Sequence, residues 1–379
     1  MRKNFLLISA LLSSLVLCSG CFDECSDTKK DIVVPATPLP TQGEIGVIPL
    51  NYIYANKPIG LSFIPQEQAL LVTTEGDPSA ETGEIWIAAK RDLSFGIRTI
   101  LRGLTLKYGK FAGNVYNEDN KKLYVCANPK NKVKGTPKVL VFGRLDSNRF
   151  FQAGSMELVH AQTEKTCADL VLINGYIFAT NSTPKTVQDV AIFYADVSSS
   201  ILPVKMEPLQ TYADLGYTAA QIQPNVPMLT DLKPKVEQTA GQFGMWALSN
   251  GTKRIIGLEF SVTGAKMTRV GNPQLMQPGG SISNKKLLQA MIPYTDRFFL
   301  LIDRDTLYES TFDDKGKLVI SSRIGPLANS SYAMVLGEDR FNKTSLPVFF
   351  YLSAPAGLKN SAVIEYAFDP KNTQQKGID

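Results

Sequence analysis

The sequence has a single histidine, His160, with two tryptophans and five cysteines in 379 residues. One imidazole excludes the multi-histidine metal sites and leaves one candidate general base. Glu157 and Glu164 flank it without forming a catalytic pattern, so it reads as a surface residue lacking the orienting partner that catalysis needs. Charge of one sign is also scarce. Forty Lys and Arg stand against 35 Asp and Glu, a net +5 spread along the chain. A nucleic-acid partner would require basic residues clustered on one face, so that class is excluded. No Gly-x-Ser-x-Gly elbow, His-Glu-x-x-His pair or phosphate-binding loop occurs. Pro278 to Ser281 is a turn signal only. What is present is apolar enough to fold: 44% of positions are hydrophobic and 20% charged, far from the composition of a disordered chain.

Arg2 and Lys3 precede an apolar stretch, Phe5 to Cys18, that falls short of the roughly 20 residues of a membrane span. A charged start, an apolar middle and a small-residue exit read as an export signal. The exit, Leu17-Cys18-Ser19-Gly20-Cys21, resembles the bacterial lipoprotein signal. That resemblance implies cleavage after Gly20 and acylation of Cys21. Cys18 stands where the family usually has an aliphatic residue, and the bulky Leu17 makes Cys18 itself a poor acceptor. Phe22 follows the acylated cysteine where the inner-membrane retention signal would have Asp, which points to the outer membrane in a two-membrane envelope. The expected layout is a signal over 1–20, a proline-bearing tether over 21–42 and a folded domain over 43–379. The chain is then anchored by lipid to a cell or outer membrane, facing the periplasm or the exterior.

Paired apolar runs repeat along the folded part. The first members contain Val72, Val125, Phe178, Ala247, Leu301 and Tyr351, at spacings of 53, 53, 69, 54 and 50. Each is followed by a second run, such as Glu84 to Ile87, Val139 to Phe142 or Val363 to Tyr366. Further short strands precede some pairs (Gly60 to Ile64, Ala168 to Ile173, Gln289 to Ile292) and follow others. Asn174-Gly175 is a strong hairpin signal. Four strands at a period near 50 are the signature of β-propeller blades. The fold class is therefore all-β, a β-propeller of six four-stranded blades, with seven as the alternative because of the long third interval. The sixth unit lacks an outer strand, and Glu44 to Tyr54 belongs to no unit, so the N-terminal segment is expected to close the last blade. Residues 199–242 depart most from the repeat and read either as an inserted lid or as a degenerate first strand of blade four.

The pattern resembles the six-bladed propellers of lactone hydrolases, NHL-type repeats and quinone sugar dehydrogenases, without any family's diagnostic motif. Resemblance to the lactone hydrolases implies a divalent ion at the channel mouth, with Glu75, Asn128 and Asn181 as its candidate ligands. Asn250 and Asp303 stand at corresponding places. Oxygen ligands of this kind suit Ca²⁺, although Asn and Asp are also ordinary turn residues. No cofactor is expected outside that alternative. Lys130, Lys132, Lys134 and Lys138 crowd one loop of the same face, either as a patch for an anionic surface or as a solvated turn. Cys126 and Cys167 fall at the same level of adjacent blades, and an exported chain favours their disulfide. Cys25 is left unpaired beside the anchor. The leading reading is a membrane-anchored lipoprotein whose propeller binds an envelope protein or surface glycan. The alternative is a metal-dependent lactone or ester hydrolase. Outer-membrane assembly lipoproteins offer an architectural analogy, with eight blades and many tryptophans.

Overall fold

Strands whose side chains are apolar at successive positions must be covered on both faces, and stacking one four-stranded sheet against the next provides that cover. The computed structural model describes residues 43–50, 57–76, 84–89, 96–101, 109–129, 136–146, 149–158, 166–199, 201–223, 226–238, 241–263, 266–283, 288–295, 297–303, 306–326, 330–337, 346–354 and 361–368. After an opening strand β1 (Gly43–Pro49), the strands fall into six blades. Blade one holds β2 (Pro58–Ile64), β3 (Ala69–Thr74), β4 (Ile85–Ala89) and β5 (Gly96–Leu101). Blade two holds β6 (Lys110–Asn117), β7 (Lys122–Asn128), β8 (Lys138–Asp146) and β9 (Arg149–Leu158). Blade three holds β10 (Cys167–Ile173), β11 (Tyr176–Asn181), β12 (Val190–Asp196) and β13 (Lys205–Thr211). Blade four holds β14 (Leu229–Pro234), β15 (Gln242–Ser249), β16 (Arg254–Thr263) and β17 (Lys266–Arg269), with β18 (Gln274–Met276) also on β16. Blade five holds β19 (Leu288–Pro293), β20 (Phe299–Asp303), β21 (Thr306–Phe312) and β22 (Leu318–Pro326). Blade six holds β23 (Ser330–Gly337), β24 (Val348–Ala354) and β25 (Ala362–Ala367).

The first strand of each blade lies innermost, and these six contact one another in order, β2, β6, β10, β14, β19, β23 and back to β2. The ring is closed, and the fold is a six-bladed β-propeller. β1 pairs antiparallel with β25 from Gly43↔Ala367 to Pro49↔Ala362 and supplies the outer strand of blade six. Every blade is antiparallel within itself. Blades two and three are also joined by a short parallel pairing of β13 with β9, Lys205↔Glu157 and Met206↔Leu158.

Six buried clusters make the core, one at each contact between neighbouring blades. Trp246 of blade four, for example, stands edge-on to Phe299 of blade five with ring centroids 5.2 Å apart. Both faces of a central strand are therefore buried, which is why β3 and β25 have no exposed position. Residues 199–242 form no extra blade. They supply β13 of blade three, a link, and β14 of blade four. The link is pinned: Tyr212 and Tyr217 are buried, and Tyr217 Oη donates to Ser249 Oγ at 2.5 Å. No helix among the described residues is long and apolar enough to cross a membrane. Cys21, Cys25, Lys130, Lys132, Lys134 and His160 lie outside the described residues.

Candidate functional site

Each inner strand carries a β-bulge near its N-terminal end, between Pro58 and Gly60, Phe111 and Asn114, Cys167 and Leu170, Leu229 and Asp231, Leu288 and Ala290, and Ser331 and Met334. A bulge places two residues opposite one and re-aims their side chains. Here the repeated bulges form a ring around one mouth of the central channel. The mouth is a cavity of about 450 Å³, and its lining includes Lys57, Glu75, Lys110, Asn128, Asp169, Asp231 and Lys233. The volume lies within the about 300–1,000 Å³ of small-molecule sites.

Two charge clusters divide the cavity. At the rim, Lys110 Nζ lies 2.8 Å from Glu75 Oε1. Burial lowers the pKa of Lys57; Glu75 opposes that shift and the neighbouring Lys110 adds to it. Deeper in, Asp231 Oδ1 accepts from Lys233 Nζ at 2.6 Å, and its Oδ2 accepts from the Met291 amide at 2.7 Å. Asp169 Oδ2 accepts from the Leu232 amide at 2.8 Å. Each aspartate thus ties its own inner strand to the next blade. Burial holds the Asp231 carboxyl well above the usual carboxylate range, with Lys233 opposing and Asp169 reinforcing the shift. For Lys233, burial acts against the charge, but Asp231 and Asp169 together outweigh it and its pKa is raised. Gly113 makes room for this cluster, since a Cβ there would collide with Asp169 Oδ1.

The residues singled out as oxygen ligands have other partners. Asn128 clasps blade three: its Oδ1 accepts from the Cys167 amide and its Nδ2 donates to the Cys167 carbonyl, each at 2.8 Å. Asn181 is buried and binds the Thr166 amide at 3.0 Å and the Val190 carbonyl at 2.9 Å. Asn250 makes the accepting half of the same clasp between blades four and five, from the Leu288 amide at 3.1 Å. Asp303 ends β20, and Glu75 is held by Lys110. Glu75 is thus paired with an ammonium, and the carboxamides of Asn128 and Asn181 are taken by backbone groups, so an ion bound there would have to displace these partners. Among the described residues no group of three His, Cys, Asp or Glu could hold a metal. Lys138 Nζ pairs with Glu157 Oε1 at 2.9 Å beside the parallel strand join. Cys126 and Cys167 form a disulfide with Cα atoms 5.2 Å apart, and Cys167 lines the mouth.

Asp169, Asp231 and Lys233 were not foreseen as site residues. Their signal was present, as charges inside the otherwise apolar runs Ala168 to Ile173 and Leu229 to Leu232. The fold and site thus define a propeller with a polar channel mouth, and solved structures share that architecture. No family model and no curated protein matches the chain. A luciferin-regenerating enzyme aligns with a TM-score of 0.52 and 8% identity over 86% of this chain and 96% of its own. The periplasmic gluconolactonase of Pseudomonas aeruginosa aligns with a TM-score of 0.51 and 13% identity over 83% and 89%. At such identities the likeness is one of fold.

Proposed function

We propose that this chain is an exported, lipid-anchored binding module whose propeller holds an anionic glycan of the cell envelope at the charged channel mouth. The observation that carries the reading is the set of three lysines in that cavity. Lys57, Lys110 and Lys233 line it beside Glu75, Asp169 and Asp231, and burial pushes the Asp231 carboxyl well above the usual carboxylate range, which weakens the acidic side of the balance. The mouth is roomy and carries six charged side chains, and its oxygen donors are tied up in structure rather than aimed at a reacting atom. Its charges are fixed by neighbouring blades, the preorganisation that a binding site needs. The lipoprotein-like N-terminus supplies the address. A second reading is a metal-dependent lactone or ester hydrolase at the same mouth. The gluconolactonase fold and the carboxylates in the cavity favour it.

Residues 43–379 should bind uronic-acid oligosaccharides in a calorimetric titration, and Lys57→Ala with Lys110→Ala should weaken binding at least tenfold. Added salt should weaken it as well. Stoichiometric bound metal with turnover of gluconolactone, and no saccharide binding, would overturn the module in favour of the hydrolase. For the address, Cys21→Ser should move the full-length chain from the membrane fraction to the soluble one; a variant that stays membrane-bound would remove lipid anchoring from the reading.

A further inference from the structure

All six inner strands run in one direction, from the charged mouth to the opposite end of the channel. Antiparallel pairing then puts the turn between the first two strands of a blade, and the turn between its last two, at that far end. Among the described residues, five of the seven large apolar side chains that stand exposed lie there. Leu145 and Phe151 flank the β8–β9 turn, Ile201 lies in the β12–β13 link, Val236 follows β14, and Leu336 lies near the end of β23. Ile201 is 82% exposed and Leu145 64%. Between them, around the opening of the channel, Phe63, Val115, Leu172 and Val335 are only half-buried. The other two exposed side chains, Val47 and Val204, lie along the outer edge of the ring. The strand β1 enters the fold at the same apolar end: Gly43 pairs with Ala367, Ala367 with Val348, and Val348 with Gly337, next to Leu336. The 21 residues between Cys21 and Gly43 therefore join the propeller on the side away from the charged mouth.

From this asymmetry we infer that the apolar end of the propeller is a membrane-docking face, seated on the bilayer that holds Cys21, with the charged mouth turned away from it. The inference rests on the lipid-anchored reading and adds which face meets the lipid. At full extension 21 residues span roughly 70 Å, so the tether alone keeps the propeller near the bilayer without turning it. It does raise the effective concentration of the end it joins. The exposed apolar side chains of that end then gain by leaving water for the headgroup boundary. Charges at these turns are of both signs: Arg149 pairs with Asp146, and the β21–β22 turn carries Asp313 and Asp314 with Lys315 and Lys317. The contact therefore needs no anionic lipid. Seated this way, the mouth opens away from the anchoring membrane, where an extended envelope glycan can enter it.

The test uses the full-length chain in its membrane-bound form, reconstituted into phosphatidylcholine vesicles whose acyl chains carry bromine as a quencher. In a Cys25→Ser background, an environment-sensitive fluorophore is placed in turn at Ile201→Cys, Val236→Cys, Leu336→Cys and, on the mouth side, the exposed Gln188→Cys. The three labels at the apolar end should shift to the blue and lose intensity at least about twofold to the lipid-borne quencher, while the Gln188→Cys label should not respond. Adding Ile201→Glu and Leu336→Glu should relieve the quenching of the Val236→Cys label and leave the chain on the vesicles. A vesicle-bound chain whose apolar end is unquenched, or quenched no more than Gln188→Cys, would overturn the docking face and leave the anchor standing. Quenching unchanged by the two glutamates would show that no apolar contact is made and would overturn it as well. A native chain that does not stay with the vesicles would overturn the anchor, and the docking face with it.

Discussion

Asp231 is buried, hydrogen-bonded to the Met291 amide and paired with Lys233, and its carboxyl is held well above the 3.8 at which it titrates when exposed. The sign of the consequence is fixed by proton counting. Between 3.8 and the higher folded value, the folded chain holds a proton that the unfolded chain has released, so stability falls as pH rises through that window. Lys233 acts with the same sign at the alkaline end: its raised pKa adds stability that is full below 10.5 and lost as pH rises through the folded value. Asp231→Asn keeps an acceptor for the Met291 amide and removes the acid titration. Unfolding free energies from urea titrations at about pH 4 and upward should decline less steeply in the variant, by up to about 1.4 kcal/mol per pH unit. An unchanged slope would show that Asp231 is not the group responsible. At this scale the sequence was only partly legible. Asn128 and Asn181 were recognisable as residues ending second strands near the channel face. Whether such a carboxamide points at an ion or at the next blade depends on backbone groups far away in sequence, such as the Cys167 amide.

Strands buried on both faces announce themselves as continuous apolar runs, and the second and third strands of every blade were readable for that reason. The inner strands were harder. All six carry a bulge, and in β6 and β14 polar residues such as Asn114 and Asp231 also interrupt the apolar run that remains, so neither a continuous run nor a period-two alternation marks them. The long third interval had the same cause: it holds an ordinary outer strand and a bulged inner strand joined by a long link. β1 was legible as the piece left over, and its contacts show what it contributes. Ile48 and Leu50 are each 1% exposed, the Leu50 amide donates to the Ser361 carbonyl at 2.7 Å, and Tyr351 Oη donates to Glu44 Oε1 at 2.7 Å. Burying the two side chains alone stabilises by about 3–6 kcal/mol. A chain beginning at Asn51 should therefore have a clearly lower urea midpoint. Because β25 would be left as an open edge, it should also form concentration-dependent oligomers on light-scattering chromatography. A monomer of unchanged midpoint would show that blade six closes without β1.

A closed ring distributes stability differently from a single core. With six inter-blade clusters of similar kind, no one of them dominates, and the weakest contact governs how the ring opens. Blades two and three are fastened in three ways: they share the Asn128 clasp, the parallel pairing of β13 with β9, and the Cys126–Cys167 disulfide across 41 residues. The clasp and the disulfide both fall on Cys167, which also lines the charged mouth, so the geometry of the mouth is coupled to the integrity of this one contact. Loop-closure arguments put a bridge of that span at about 4 kcal/mol. Replacing Cys126 and Cys167 together by Ser should lower stability by roughly that amount, because both sulfurs are buried in the cluster between the two blades. Reductant should destabilise the native chain to a similar degree and leave the double variant unaffected. If the mouth is a binding site, its ligand should also bind more weakly to the variant under conditions where the variant is fully folded, because the covalent tie to blade two at the start of the bulge that carries Asp169 is then gone and the Asn128 clasp remains. A double variant as stable as the native chain would mean that the clasp and the parallel pairing already fix this contact, and that the ring opens elsewhere first.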